Sequence, residues 1–264
     1  MYFPSFNYVT YGRTILYQRA RYVLPVSILA SMGFQIAAQP DDVTCGPTSL
    51  HAVYRYLGYS VELEDVIRSV NYLEEGGTLA AFLGADALRR GFKTRIHSYN
   101  LRVFDPSWAG LDSQALIAKL REQLVHKTEP KLRITTEAYI RYLKEGGEIT
   151  FADLTPDLLR SYFDRGLPVL AGLSATYLYR NRREIPTDSF RTEYDDVRGE
   201  PSGHFVVLFG FSERGVLVAD PYRDHPFNGG HRYEVDIFRL LNAIMLGVIT
   251  YDANLLIVSP RTGS

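Results

Sequence analysis

Cysteine is nearly absent: the 264 residues contain one, Cys45. An intrachain disulfide is therefore excluded, as is any zinc site built from clustered thiolates. Long apolar runs are also missing. The best candidate, from Tyr22 to Ile36, is too short to span a bilayer and is interrupted by Pro25. Neither sign of charge is in excess, because 29 Lys and Arg stand against 30 Asp and Glu. A net charge of −1 gives no electrostatic footprint for nucleic acid and none for an anionic membrane surface. No metal or cofactor is implied. The acidic pairs Asp41-Asp42 and Asp195-Asp196 are of the kind that faces solvent.

What is present suits a globular protein with one substantial core, or two lobes sharing a cleft: 46% of residues are apolar and 22% charged. Residues 1–31 are read as an N-terminal extension, since Met32 followed by Gly-Phe-Gln-Ile-Ala has the form of a natural start. Arg19 and Arg21 ahead of an apolar stretch ending in Ala37-Ala38 have something of a secretory signal. Pro25 argues against one, and the expectation is a cytoplasmic protein.

Phe34–Ala38 reads as a short extended segment. Pro47 in a first turn and Gly58 as a stop predict a helix from Gly46 to Leu57, with Leu50, Val53, Tyr54 and Leu57 on its buried face. Further helices are expected over 62–72, 78–90, 114–127, 134–145 and 155–165, the last opened by Thr155-Pro156-Asp157. Residues 93–100 and the apolar run 167–174 read as strands. The last third is β-rich. Strands at 204–211 and 216–220 flank the turn Ser212–Gly215 as a hairpin, and strands at 232–235 and 255–258 enclose a helix around 237–246. This order predicts an α+β fold rather than a βαβ alternation. The polar connection from Tyr179 to Gly203 reads either as a flap over a site or as a solvated excursion.

A solitary cysteine is commonly an inert buried residue, but its context here favours chemistry. Cys45 stands at the entrance of the 46–57 helix, where unpaired N–H groups and the helix dipole favour a thiolate. Gly46 would let a substrate approach the backbone. His204 opens one hairpin strand and Asp220 ends the next, so the fold can bring a base and its orienting carboxylate together locally. His51, His97, His126, His225 and His231 lack such a partner. His51 is expected to point away from Cys45, and His225 and His231 to be exposed. Gln39, six residues before Cys45, could supply a side-chain amide to an oxyanion, with the Cys45 N–H as second donor; it could equally cap its own loop.

At these residues the chain resembles a known family. Gln39-x5-Cys45-Gly-Pro-x-x-Leu50, Gly203-His-Phe-Val-Val207 and Ala219-Asp-Pro221 are similar to the papain-like peptidases that process double-glycine bacteriocin leaders, family thirty-nine of the cysteine peptidases. The resemblance implies a papain-like fold, with a helical lobe carrying the cysteine packed on an antiparallel lobe carrying histidine and aspartate. It makes Cys45 the nucleophile, His204 the base, Asp220 the orienting residue and Gln39 the oxyanion donor. It also makes residues 32–264 one peptidase domain with a helical insertion at about 112–165. No transporter segment or nucleotide-binding loop accompanies the motifs, so the resemblance is to stand-alone members. Three readings follow. A peptide or isopeptide hydrolase leads; an acyltransferase using the same triad, and a non-catalytic peptide-binding module, are the alternatives.

Overall fold

The computed structural model describes residues 34–74, 76–185 and 193–261; the expectations for residues 1–31 lie outside them. Helix α1 spans Cys45–Tyr56, with Pro47 in its first turn. It stops where Gly58 takes φ +79°, a left-handed conformation that closes a helix without a Cβ penalty. The Gly58 N–H then bonds the Arg55 carbonyl, and the Tyr59 N–H bonds that of Tyr54. Helices α2 (Leu63–Ser69) and α3 (Ala80–Arg89) follow. The former is shorter than its sequence suggests, because Val70 turns extended and enters the core.

Strand β1 (Lys93–Ser98) leads through a 3₁₀ turn to α4 (Ser113–His126), α5 (Pro130–Lys144) and β2 (Glu148–Thr150). Helix α6 (Pro156–Phe163) begins as Thr155-Pro156 implies, with the Thr155 hydroxyl accepting from the Leu158 N–H. Next come β3 (Val169–Ser174), buried throughout, and the short helix α7 (Ala175–Tyr179). The described parts of the 179–203 connection hold a two-stranded ladder of β4 (Glu184–Ile185) and β5 (Glu193–Tyr194). Strands β6 (Gly203–Phe211), β7 (Val216–Ala219) and β8 (Arg232–Val235), helix α8 (Ile237–Leu246) and strand β9 (Asn254–Ser259) complete the chain.

The fold is α+β. One seven-stranded sheet runs β2-β1-β9-β3-β6-β7-β8, antiparallel except for the β1–β2 pair. The helical half is therefore not separate from the sheet, since it contributes β1 and β2. Phe34–Ala38 joins no strand; the chain beyond it is tied down by the Gln39 N–H bonding the Pro221 carbonyl at 3.0 Å.

Side chains alternate across a strand, so each strand feeds two cores. Phe205, Val207 and Phe209 pack with α1, α3, α4 and α5 on one face. Val206, Leu208 and Phe211 pack with α6, α7 and α8 on the other. A bulge between Leu208 and Gly210 inserts one residue into β6, which is how Phe209 and Phe211 come to face opposite cores.

Candidate active site

Helix α1 presents Cys45 as its first residue, 8% exposed. Thr44 makes no side-chain cap, and the first turn carries no acidic residue, so no side chain competes for the N–H groups there. Gly46 has a packing reason: a Cβ on it would overlap Thr78 Cγ2 and crowd Leu83. The close approach it permits is that of Thr78. One turn further on, the buried Ser49 hydroxyl donates to the Phe205 carbonyl at 3.1 Å. That bond ties α1 to β6 beside His204.

His204 is the second residue of β6, facing Leu173 of β3, and is buried. Gly203 before it leaves room for Asp252, because a Cβ there would overlap Asp252 Oδ2 and press on Thr250 unless those side chains shifted. The His204 Nε2–H donates to Asp220 Oδ1 at 2.8 Å. The ladder pairs Val207 with Ala219, so Asp220 falls beside Val206 and reaches His204 diagonally rather than directly across. Burial disfavours a charged imidazole, but the Asp220 carboxylate and the Cys45 sulfur outweigh it. Both act on His204 as charges and as hydrogen-bonding neighbours, and its pKa is pushed up to about 10.

Asp220 is fully buried. Its Oδ1 accepts from His204 and from the Tyr222 backbone N–H at 2.9 Å. Its Oδ2 accepts from the hydroxyls of Tyr179 at 2.6 Å and Tyr233 at 2.7 Å. Burial would raise the carboxyl pKa, yet the charge of His204 and these donors hold it below the ordinary value. The backbone is pinned as well, since the Asp220 N–H bonds the His231 carbonyl and His231 Nδ1–H donates to the Asp220 carbonyl.

Gln39, Asp42, Tyr179, Glu184, His204 and Tyr222 are among the residues lining a cavity of about 70 Å³. The Gln39 side-chain N–H donates to the Asp41 carbonyl at 2.7 Å, while Oε1 is buried without a protein partner. Gln39 thus borders His204 and also holds its own loop. Glu184 and Tyr194 bring the 179–203 connection to the same cavity.

The sequence profile of the Peptidase_C39 like family matches residues 31–243. The chain belongs to that family. It is a papain-like cysteine peptidase. No curated protein matches it. Among solved structures, a Bacillus anthracis protein described as a C39-like peptidase is 14% identical, with a TM-score of 0.42 over 90% of this chain and 98% of its own. The peptidase domain of Streptococcus ComA, a bifunctional ABC transporter involved in a quorum-sensing pathway, is 13% identical, with a TM-score of 0.39 over 87% and 100%.

The other histidines of this C39-like peptidase sort by environment. His97 is buried between the Tyr162 hydroxyl at 2.6 Å and the Thr150 hydroxyl at 2.7 Å; burial and then Arg95 lower its pKa to about 4. His51 contacts the Val61 carbonyl at 3.1 Å. His126 is exposed. His225 and His231 correct the expectation of exposure. His225 is buried with its ring centroid 4.6 Å from that of Tyr233, and His231 is half-buried against Asp220. Among the described residues no helix is long and apolar enough to cross a membrane, and no cluster of three metal-ligating side chains occurs.

Three neighbours of the site escape sequence reading: Tyr179, Tyr233 and Asp252. Tyr233 carries a weak signal, because it is one of two inward residues in the alternating strand Arg232–Val235. Tyr179 and Asp252 carry none. Each reaches the site only because β3 lies beside β6 and β9 beside β3.

Proposed function

We propose that the peptidase cleaves its substrate through Cys45 as nucleophile, His204 as acid and then base, and Asp220 as the residue that orients the imidazole. The reading rests on one observation, that Asp220, saturated with donors, holds His204 at 2.8 Å; the sulfur at the uncapped start of α1 acts on that same imidazole. With Nε2 engaged by Asp220, Nδ1 is the nitrogen left for the sulfur. The raised pKa of His204 keeps the ring an imidazolium at neutral pH, the partner a thiolate requires.

The thiolate attacks the scissile carbonyl carbon. Its oxyanion is held by the Cys45 N–H and by the amide N–H of Gln39 not given to Asp41. The C–N bond then breaks, the leaving amine takes the proton from His204, and a thioester remains on Cys45. Neutral His204 next takes a proton from water, whose oxygen attacks the thioester. Release of the acid returns the thiolate beside the imidazolium. Asp220 keeps its negative charge throughout and fixes ring orientation and tautomer.

The test is intact-protein mass spectrometry after exposure to bacterial cell extract, comparing wild type with Cys45→Ala. An acyl adduct located on Cys45 in the wild type, together with loss of peptidase activity in the variant, is expected. Undiminished cleavage by Cys45→Ala would overturn the reading.

A further inference from the structure

The peptidase reading needs Asp220 only to hold His204, yet the structure surrounds that carboxylate with far more than one histidine. Its two oxygens are divided. Oδ1 takes His204 and the Tyr222 backbone N–H, while Oδ2 takes the hydroxyls of Tyr179 and Tyr233 at 2.6 and 2.7 Å. The two tyrosines come from separate elements on either side of the hairpin, the end of α7 and the middle of β8. Each is itself held. Tyr233 stacks on Phe227 with centroids 4.2 Å apart and packs edge-on to His225 at 4.6 Å. Tyr179 lies between His204, Tyr222 and His225, at 6.0 to 6.2 Å.

Resting on the peptidase reading above, we infer that Tyr179 and Tyr233 are positioning residues that act as a clamp, locking carboxylate rotation and drawing charge onto Oδ2, away from Oδ1, so that His204 gives up its Nδ1 proton readily. Two hydroxyls on one buried oxygen leave the carboxylate no reason to rotate, so Oδ1 stays on His204. The same hydroxyls bind a carboxylate facing neutral imidazole more strongly than one already neutralised by imidazolium. They therefore favour the state in which His204 has given its proton away, the step on which departure of the amine depends.

The sign of the consequence is fixed. Without the hydroxyls, Oδ1 becomes more basic and holds the imidazolium to higher pH. The groups that bear on this equilibrium are Cys45 from α1, Asp220 after β7, and Asp252 and Glu184, which act on His204 through charge. His231 and His225, from the loop before β8, face the Asp220 backbone and the two tyrosines respectively.

The test needs no substrate, because Cys45 is the only cysteine. Iodoacetamide alkylation of the full chain is followed from pH 4 to 11 for wild type, Tyr179→Phe, Tyr233→Phe, the double variant and Asp220→Asn, with thermal melts confirming a folded chain. Alkylation of a thiolate–imidazolium pair shows a plateau that ends in a second rise when the imidazolium deprotonates. We expect that second rise to move up by about half a pH unit in each single variant and about one in the double variant, and to move down in Asp220→Asn. Folded single variants with an unshifted or lowered second rise would overturn the clamp, and they keep the test valid if the double variant does not fold. Absence of any plateau below pH 8 in the wild type would instead overturn the peptidase mechanism itself, so the two failures are distinguishable.

Discussion

Two buried carboxylates flank His204, and they are treated in opposite ways. Asp220, after β7, is fully buried but receives four donors, and its pKa stays below the ordinary value. Asp252, before β9, is nearly as buried; burial dominates there, the Thr250 hydroxyl opposes it, and the pKa rises to about 7. Depth is thus nearly equal at the two places; at Asp220 the charge of His204, and after it the donors, outweighs burial, and at Asp252 burial prevails. A carboxylate saturated with donors can stand beside an imidazolium permanently. One ruled by burial becomes a group that titrates near neutrality, as Asp252 does beside Gly203, where a Cβ would overlap its Oδ2.

The comparison breaks most visibly at Asp220. Asp220→Asn removes the charge that sustains the imidazolium, and leaves two tyrosine hydroxyls facing an amide. A fall in peptidase activity on the order of 100-fold or more is expected, with the alkylation plateau of Cys45 collapsing towards ordinary thiol behaviour. Wild-type turnover in that variant would remove Asp220 from the mechanism.

Asp252 sharpens the contrast through stability. Its folded pKa, about 7, lies above the ordinary value, so its neutral form is the one folding favours. That contribution is complete at acid pH and is lost as pH rises through about 7. Asp220 has the reverse sign, its contribution being present above the ordinary carboxyl range and lost as pH falls through its depressed value. Asp252→Asn is therefore expected to raise Tm by several degrees above pH 8, a gain on the order of 2 kcal/mol, and to leave it nearly unchanged at pH 4. A Tm gain independent of pH would show that Asp252 does not titrate as described.

The smallest effect belongs to Thr250, whose hydroxyl donates to the Gly247 carbonyl at 3.2 Å and also opposes the rise of the Asp252 pKa. Thr250→Val should shift the pH at which Tm declines upward by about half a unit, read from melts at closely spaced pH values. No movement would mean that the Thr250 hydroxyl does not serve Asp252.

The residues joined at the site were legible to unequal degrees. Cys45, His204, Asp220 and Gln39 stand in short motifs, and the helix start and hairpin that carry them are local structures with local signals. Even there, the hairpin register was beyond reading. A one-residue bulge in β6 sets which residues of β7 it faces, and places Asp220 diagonal to His204. Strand β2 was missed because three residues with a half-buried pattern give no periodicity to detect. His225 looks exposed in its Gly- and Pro-rich loop, and is buried only because Tyr179 and Tyr233 close over it.

By itself the sequence determined the nearest-neighbour chemistry of this peptidase: a lone thiol at a helix start, a histidine at a strand start, and a carboxylate sixteen residues on. Those placements need only capping, periodicity and turns, which act over a few residues. Tertiary structure alone decided the environment in which that chemistry operates. Whether a buried carboxylate is charged depends on the charge of His204 on β6 and on donors from α7 and β8, and those meet only after the strands have taken their places in one sheet.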